Sequence, residues 1–572
     1  MMRLALIDAI GPFFRGLSAR RINWSKIPFA DLPMHGGESE EFWARLQEDI
    51  RVFARKALEL GFNAVTLDDV AHLVSHPEYE PELRNRAEFL AGHFERIIRH
   101  FHDQQLGVYI TSDFLAATPE IALRIGSRGL AARQFYLETL ELLFKRFPEI
   151  DGVILRVGES DGVDVRDPLR SHLAARSAAC VNRLLRFVIP RFEQLGKTLI
   201  FRTWTVGAFP LGDLIWHRGR LKRSLEGIQS PSLIISMKPG ESDFFRHLPL
   251  SRQFFQTDLP KILELQARRE YEGAGEFPSF CGWEFELIAK ELEQASNVVG
   301  ISVWCQTGGW HRLRRLTFLD DRSVWVEINA VAAIQVFLRG HSGDRMIEDY
   351  FGKDHFADAR EFLQLIDDVI LQLLYIEEFA CQKLFFRRVR IPPLIHVFWD
   401  RILIVEPVRE ILRRFVSNHK LALSQGEEAY AKFPRILVLA AQLGLPVKDI
   451  EFMRDSLGMV LHARRFYFQP FRPEVAKDIE EAKIHYKAAW PKEGRPRYRV
   501  KTSFKPTALR WPAAQWFMRI VLRRRRGYRT VLDRLFTLTI LSWAYALIAR
   551  SHPKALPKTL RKSAMGVDAV IR

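Results

Sequence analysis

Short apolar runs alternate with longer amphipathic segments between residues 60 and 305. Uninterrupted apolar runs of this length are typical of strands that are buried on both faces, as in a parallel sheet. We predict eight strands: NAVTLDD (63–69), GVYITSDF (107–114), GVILRVGE (152–159), TLIFRTW (198–204), SLIISMK (232–238), QFFQTD (253–258), PSFCGW (278–283) and VGISVW (299–304).

The segments between the runs repeat their apolar positions with a period near 3.6, which predicts helices with charged outer faces. These helices are expected at Glu82–Gln105, Gly129–Phe147, Ser171–Leu195 and Glu284–Ala295. Eight alternations of strand and helix favour an α/β fold of the (β/α)₈ TIM-barrel class over residues 1–318. An open, doubly wound sheet is the alternative, but no glycine-rich dinucleotide loop follows any predicted strand.

Residues 319–480 lack strand-like runs and are predicted to form an α-helical C-terminal domain. Examples of the expected helices are Arg322–Leu338, Phe356–Tyr375 and Leu403–Asn418. Residues 481–572 are set apart as a basic C-terminal segment. The chain of 572 residues has a net charge of +17, and residues 483–572 hold 22 Lys and Arg against three acids. The rest of the chain is therefore close to charge balance, so the net positive charge of the whole chain says little about an active site.

The basic segment has two interpretations. A basic, amphipathic, aromatic-containing stretch is suited to peripheral contact with an anionic membrane surface. It is equally suited to a solvated helical cap that contacts acidic polymers. The competing interpretation of both is a segment without a functional role. Its apolar run, residues 535–549, is shorter than the roughly 20 residues that a spanning helix needs. Binding of nucleic acid is disfavoured because no base-reading motif is present.

The cysteines and the N-terminal residues indicate the cellular compartment in which the protein is expected. Four cysteines lie far apart without a C-x-x-C pair, which argues against a disulfide framework or a structural zinc site. No secretory signal is recognisable, so we expect a cytoplasmic protein. His72 and His76 are four residues apart but lack the intervening glutamate of H-E-x-x-H. We therefore expect no metal and no cofactor.

Polar residues cluster where six of the predicted strands end. In a parallel barrel these ends share one rim, and active sites are built there. The residues are Asp68 and Asp69, Ser112 and Asp113, Arg156 and Glu159, Arg202 and Trp204, Lys238 and Asp243, and Trp304.

Carboxylates in this set can cleave a glycosidic bond. One carboxyl group protonates the departing oxygen, and a second attacks the sugar or activates water. Glu159, Asp243 and Glu270 are the candidate catalytic residues, with Glu272 and Glu276 as neighbouring alternatives to Glu270. The competing interpretation is that these acids form structural ion pairs with nearby cations.

Substrate contacts can be assigned to the remaining rim residues. Arg156, Arg202 and Lys238 could hold an acidic sugar, and Asp69 and Asp113 could bind its hydroxyl groups. Aromatic faces suit the apolar side of a pyranose, but large aromatic side chains also fill cores. The candidates for a sugar platform are Trp204, Trp304, Trp310 and His311.

From about Phe62 to Phe351, the chain resembles the α-glucuronidases of glycoside hydrolase family 67. The segments that carry the resemblance are GFNAVTLDDVAH, QLGVYITSDFLAATPE, DGVILRVGES, IFRTW, SMKPGESDFF, QARREYEG, VWCQTGGWHRL and NAVAAIQVF. The resemblance implies that GFNAVTLDDVAH is the first barrel strand and that Glu159 is the general acid. It further implies an inverting mechanism in which Asp243 and Glu270 activate water together, with Arg202 contacting the substrate.

Two departures from the family concern the substrate. Leu155 stands where the family has a lysine, and Asp68-Asp69 replaces an Asn-Asn pair. We therefore expect an inverting glycosidase that acts on an α-linked uronic acid or a related acidic glycan. One alternative is a catalytically silent barrel that binds glycans or assists polysaccharide assembly at the inner membrane face. Another is an electrostatic scaffold for nucleic acid, whose affinity would fall steeply with salt.

Overall fold

The computed structural model contains a closed barrel of eight parallel strands, which confirms the predicted fold class. It describes residues 2–16, 26–126, 129–158, 167–172, 174–205, 214, 219–306, 316–320, 323–382, 384–386, 389–390, 392–398, 401–491, 497–505, 522–524, 547 and 551. The barrel strands are β1 (Leu4–Asp8), β2 (Ala64–Leu67), β3 (Gly107–Asp113), β4 (Gly152–Gly158), β5 (Thr198–Thr205), β6 (Leu233–Met237), β7 (Lys261–Gln266) and β8 (Val298–Trp304). Each strand pairs with its neighbours in chain order, and β1 pairs with β8 to close the barrel.

Helices surround the barrel. They are α1 (Gly37–Leu60), α2 (Pro81–Asp103), α3 (Pro119–Ile125), α4 (Leu130–Arg146), α5 (Ala178–Leu195), α6 (Arg220–Ser224) and α7 (Gly282–Leu292). The long helices bury their apolar stripes against the outer faces of the strands, as their 3.6-residue spacing predicts.

Two of the eight predicted strands are wrong. QFFQTD lies partly in a 3₁₀ helix, Arg252–Phe255, and PSFCGW leads into α7. The two strands that take their place are β1 and β7. In β7, the charged Glu264 interrupts the apolar run, and it is tolerated inside the barrel because it pairs with Arg202. The strand at 64–67, which the family resemblance made the first, is the second.

The barrel interior changes from apolar to polar along the strands. One apolar layer near the amino ends consists of Leu6, Ala64, Tyr109, Ile154, Ile200 and Ile262. Alternate residues of a strand share one face. Two positions further along these strands the interior residues are Asp8, Thr66, Thr111, Arg156, Arg202 and Glu264, all buried. The two-residue period therefore places the polar groups in the carboxyl half of the barrel.

Glycine is required where two neighbouring strands approach most closely. A Cβ atom on Gly300 would lie 2.0 Å from the carbonyl oxygen of Leu4, and one on Gly152 would lie 2.0 Å from that of Thr198. Both obstructing atoms belong to backbone, so a side chain at either position would push two barrel strands apart. Gly300 lies at the seam where β8 meets β1.

A mainly helical region follows the barrel. Its helices are α8 (Val324–Phe337), α9 (Gly343–Phe351), α10 (Phe356–Val369), α11 (Glu377–Ala380), α12 (Glu406–Phe415), α13 (His419–Tyr430), α14 (Phe433–Gln442), α15 (Val447–Phe468) and α16 (Pro473–Ala489), with a π-helical turn at Ile370–Leu374.

The expectation of a strand-free region is wrong in detail. Strands occur at Leu384–Phe386, Val389–Arg390, Val397–Phe398 and Arg401–Val405. The last, RILIV, is rich in β-branched residues, which favour strands, and it replaces the beginning of the helix predicted from Leu403.

The basic C-terminal segment begins inside this region. The predicted boundary at residue 481 falls within α16, and Arg499–Ser503 forms a parallel strand beside Arg401–Val405. Most residues after 505, including the apolar run 535–549 apart from residue 547, lie outside the described residues, so membrane contact stays a prediction. Among the helices that the structure describes, none combines the length and the low charge needed to cross a bilayer. All four cysteines are free thiols.

We predict that Gly300→Ala destabilises the protein by about 1–3 kcal/mol or more, because the added methyl group meets backbone at the barrel seam. The matched control is Gly92→Ala in α2, where a Cβ atom meets nothing within 4 Å. That change is expected to stabilise the helix by about 0.5–1 kcal/mol. Urea unfolding measures both. Equal free energies of unfolding for the two variants would contradict the assigned strand contact.

Candidate active site

Asp243 lies on a loop that is closed at its base by backbone hydrogen bonds. Gly240 and Leu250 form an isolated antiparallel bridge, and the Ser251 N–H donates to the Pro239 carbonyl at 2.6 Å. This loop follows β6, so it begins at the carboxyl end of the barrel. The closed base holds the loop in a defined conformation and presents Asp243 at the rim.

Three donors converge on the Asp243 carboxylate. Lys238 Nζ lies 2.5 Å from Oδ1, and the backbone N–H of Phe244 donates to the same oxygen at 3.0 Å. The Tyr271 hydroxyl donates to Oδ2 at 2.6 Å. Lys238 Nζ also lies 3.6 Å from the ring centroid of Trp204, a cation–π contact. The structure thus brings together the predicted site residues Lys238, Asp243 and Trp204.

Arg246 anchors the same loop to the rest of the molecule. Its buried guanidinium contacts Glu272 at 2.8 Å, Glu284 at 3.1 Å and Asp367 at 3.3 Å. Its backbone N–H donates to the Tyr375 hydroxyl at 3.1 Å. These partners belong to the β7–α7 loop, to α7 and to the helical region, so one side chain connects three parts of the fold beside Asp243.

Glu270 lies on the segment that follows β7, and this segment is fixed at several points. The Asn329 side chain of α8 donates to the carbonyls of Ala267 and Ser279 and accepts from the N–H of Cys281. Gly273 has φ of +68°, and its carbonyl accepts from the Tyr498 hydroxyl. The helical region therefore holds the segment that carries Glu270.

Three glutamates within seven residues occupy different environments. Glu272 pairs with Arg246 and Arg269, and Glu276 pairs with Arg268. Burial opposes ionisation of Glu272, but the two arginines outweigh it and hold its pKa below the usual range.

Glu270 differs from both neighbours because it faces Asp243. Burial, followed by the charge of Asp243, raises the pKa of Glu270 to about 8. A carboxyl group that stays protonated near neutral pH is a common feature of active sites. Glu272 and Glu276, the alternatives that the sequence left open, are engaged in ion pairs.

Arg202 of β5 and Trp304 of β8 form a second group, together with side chains of the two strands between them. The Arg202 guanidinium pairs with Glu264 at 3.0 Å and lies 4.6 Å from the Trp304 ring centroid. The Ser236 hydroxyl donates to Glu264 at 2.7 Å. Arg202, a predicted substrate contact, is therefore oriented by a carboxylate and an aromatic face.

Asp113 and Arg156 form a third group on β3 and β4. Arg156 Nε lies 3.0 Å from one Asp113 oxygen, and Lys26 Nζ lies 2.7 Å from the other. The Ser171 hydroxyl also donates to Asp113. Burial opposes ionisation, but the two cations outweigh it and hold the pKa of Asp113 well below its usual range. Asp113 is a permanent anion in this arrangement.

Asp69 faces His72 behind the rim, whereas Asp68 accepts from the Thr111 hydroxyl and the Ile27 N–H. His72 stacks on Phe29 with ring centroids 4.1 Å apart. Burial opposes its charge, but Asp167 and Asp69 outweigh burial and raise the pKa of His72 to about 9. Burial raises the pKa of Asp68 to about 6. Asp68 is the better placed of the two predicted rim aspartates to face the barrel.

Asp8 is a rim carboxylate that the sequence analysis did not select, because β1 was not predicted. It accepts from the backbone N–H groups of Cys305 at 2.5 Å and Gln306 at 2.9 Å, just after β8. Burial raises its pKa to about 7 in spite of these donors. Asp8 joins the ends of the first and last strands.

The structure leaves some predicted residues unplaced and adds others. Glu159, Trp310 and His311 lie outside the described residues, although β4 ends at Gly158, immediately before Glu159 in the sequence. The residues that the sequence analysis missed are Asp8, Lys26, Ser171, Glu264 and Tyr271. Tyr271 could have been selected, because it adjoins Glu270 in the EYEG motif.

We predict opposite stability changes for two neighbouring variants, Glu270→Gln and Glu272→Gln. The pKa of Glu270 is raised, so wild-type protein is fully stabilised below pH 4.5 and loses stability as the pH rises towards 8. Glu270→Gln removes that loss. It should therefore be more stable than wild type at neutral pH, by about 1.4 kcal/mol for each pH unit between 4.5 and the pH of the measurement, and equal to it in acid.

Glu272→Gln is the matched control. Its lowered pKa means that the carboxylate stabilises the fold above pH 4.5 and that this contribution is lost as the pH falls. The variant leaves Arg246 and Arg269 short of a counter-charge and should cost about 3 kcal/mol at neutral pH. Urea unfolding at a series of pH values measures both changes. Destabilisation of both variants at neutral pH would refute the assignment of Glu270 as the acid with a raised pKa.

Comparisons with known proteins support the fold. No protein-family model matches the chain, and no curated protein matches it. A solved GH138 enzyme targeting pectin rhamnogalacturonan II is similar at a TM-score of 0.50 and 11% identity, over 85% of this chain and 59% of that enzyme. A family 89 glycoside hydrolase from Clostridium perfringens is similar over 96% of this chain and 69% of its own, at 9% identity and a TM-score of 0.40. The chain thus spans less than two thirds of the first enzyme and shares its barrel fold.

Proposed function

We propose that this protein is an inverting glycoside hydrolase of the α-glucuronidase type. The observation that carries the proposal is the buried Asp243–Glu270 pair at the carboxyl rim of a closed barrel. Active sites of such barrels lie at this rim, and glycosidases need a carboxylate to attack the sugar or activate water. The Tyr271 hydroxyl donates to Asp243, and Glu270, which precedes Tyr271 in the chain, lies close enough to Asp243 for the charge of that acid to raise its pKa.

In the proposed reaction, Glu159 is the general acid. Its proton moves to the glycosidic oxygen as the bond from that oxygen to the anomeric carbon breaks. A water molecule held by Asp243 and Glu270 attacks the same carbon from the opposite face and gives a proton to the carboxylate pair. Exchange with solvent returns a proton to Glu159 and removes one from the pair. Attack from the face opposite the leaving group inverts the anomeric configuration.

The proposed substrate is an α-linked uronic acid or a related acidic glycan. Arg202 and Lys238 are the rim cations on β5 and after β6, and each lies beside an aromatic ring, Trp304 or Trp204. Each also contacts a protein carboxylate, so a substrate carboxylate would share the cation with Glu264 or Asp243. Trp204 is half-buried, which leaves part of its ring available to a sugar face.

We expect purified protein to hydrolyse aldouronic acids or aryl α-glucuronides. The panel should also hold matched neutral aryl glycosides and pectin rhamnogalacturonan II, because the structurally similar GH138 enzyme targets that polysaccharide. Glu159→Gln, Asp243→Asn and Glu270→Gln should each lower kcat by about 10²–10⁴-fold, the usual contribution of acid–base groups. Proton NMR of the first product formed should show the inverted anomer.

Glu276→Gln is the control for these variants. Glu276 lies on the same segment but pairs with Arg268, so its loss should leave kcat close to the wild-type value. If the protein hydrolysed neutral glycosides only, the proposed uronic acid substrate would be wrong, but the proposed reaction class would stand. Retention of configuration would remove the inverting mechanism. If the protein bound glycans but hydrolysed none of the substrates, the alternative of a catalytically silent, glycan-binding barrel would be favoured.

A further inference from the structure

We infer that a cavity beneath the Asp243 loop is a water passage, which connects Asp243 with solvent while a glycan occupies the rim. The Asp243 loop is the segment 239–251, whose base is closed by backbone hydrogen bonds. This role rests on the proposed glycosidase function and deepens it, because it gives the route by which the hydrolytic water is replaced and its proton leaves.

A substrate at the rim would restrict the access of solvent to Asp243. Asp243 is already only 7% exposed, and each turnover of an inverting glycosidase consumes one water molecule and frees one proton. The proposed substrate contacts Arg202, Trp204 and Lys238 are not among the residues that line the cavity. A glycan bound to these three residues would therefore leave the cavity uncovered.

The cavity lies outside the barrel, in the layer between the strands and the surrounding helices. Glu264 faces the barrel interior, so Leu265, the next residue of β7, faces outward, and Leu265 lines the cavity. Phe285 and Ile288 of α7 also line it, as do several residues of the Asp243 loop. The cavity therefore reaches Asp243 from the helix side, away from the mouth of the barrel.

The volume and the polar lining of the cavity suit water. The volume is about 30 Å³, and a water molecule needs roughly 10–15 Å³ and a few polar partners, so about two waters fit. Asp243, Arg269 and Glu284 are charged lining residues. One buried oxygen of Glu284 lies 3.1 Å from Arg246, but it accepts no hydrogen bond from any residue that the structure describes. Water commonly satisfies a buried acceptor of this kind.

The exposure of the lining residues indicates which side of the cavity meets solvent. Leu248, Glu284 and Ile288 are half-buried, whereas Asp243 is buried. The cavity therefore extends from the surface beside α7 to Asp243. After attack on the sugar, the proton that Asp243 and Glu270 received from the hydrolytic water moves to a water in the cavity. That water gives a proton to solvent, and a new water enters by the same passage.

Ile288→Trp should fill the cavity from α7 while every proposed catalytic residue is kept. We expect kcat to fall about tenfold, the effect of losing about one hydrogen bond to water, with little change in KM. Because release of the proton then limits the rate, the solvent isotope effect on kcat in D₂O should increase. Simple distortion of the site would lower kcat without increasing the isotope effect.

Leu287→Trp is the matched control, because Leu287 is the neighbouring residue of α7 and is 65% exposed. Its kcat and isotope effect should equal those of wild type. Urea unfolding checks that both variants fold, and if Ile288→Trp does not, Leu248→Trp fills the cavity from the Asp243 loop. If the folded cavity variant has the same kcat and isotope effect as Leu287→Trp, the proposal is overturned.

High-resolution crystallography tests the water without requiring turnover. Crystals of the wild-type protein and of Leu287→Trp should show ordered water in the cavity within hydrogen-bond distance of Asp243 or Arg269, and crystals of Ile288→Trp should lack it. Xenon under pressure is the second probe, because a dry apolar cavity binds xenon. If xenon enters the wild-type cavity and ordered water does not, the passage is refuted. If water is found but no glycoside is hydrolysed, the cavity assignment stands and the proposed function fails.

Discussion

The arrangement of the candidate site depends on one buried guanidinium, that of Arg246. It follows Asp243 by three residues, and its partner Glu272 follows Glu270 by two. The two acids therefore sit on separate loops that are joined by the same ion pair. Glu284 and Asp367 extend the network into α7 and α10. Loss of one member of such a network leaves a buried charge without compensation, which is far more costly than loss of a surface pair. The geometry at the rim is thus coupled to the docking of the helical region.

Much of the fold could be predicted from the sequence because the barrel strands are continuous apolar runs. Six of the eight were predicted in this way. β7 was missed because its Glu264 faces the barrel interior, where only the distant Arg202 makes it tolerable. β1 was missed because its short run lies 55 residues before the next strand, Ala64–Leu67, a longer connection than separates the other consecutive strands of the barrel. In both cases the deciding information was a contact with a residue far away in sequence.

The candidate site was predictable as a set of residue types at the ends of strands. The rim positions of Arg202, Lys238 and Asp243 followed from this pattern alone. The choice among Glu270, Glu272 and Glu276 could not be made from spacing, because all three lie in one short segment. It depends on which glutamate meets Arg246, which meets Arg268 and which meets Asp243. These partners are assembled only by folding.

Barrel closure also has a consequence for synthesis of the chain. β1 pairs with β8 across about 300 residues, from Ile7 to Val303. A ribosome that adds about 5–20 residues per second needs on the order of 15–60 s to cover that distance. During this interval the first strand emerges long before its second neighbour, and its outer edge offers unpaired N–H and C=O groups to any passing chain. The nascent protein therefore has a long period of exposure to aggregation, in which a holding chaperone would act on the unclosed edge.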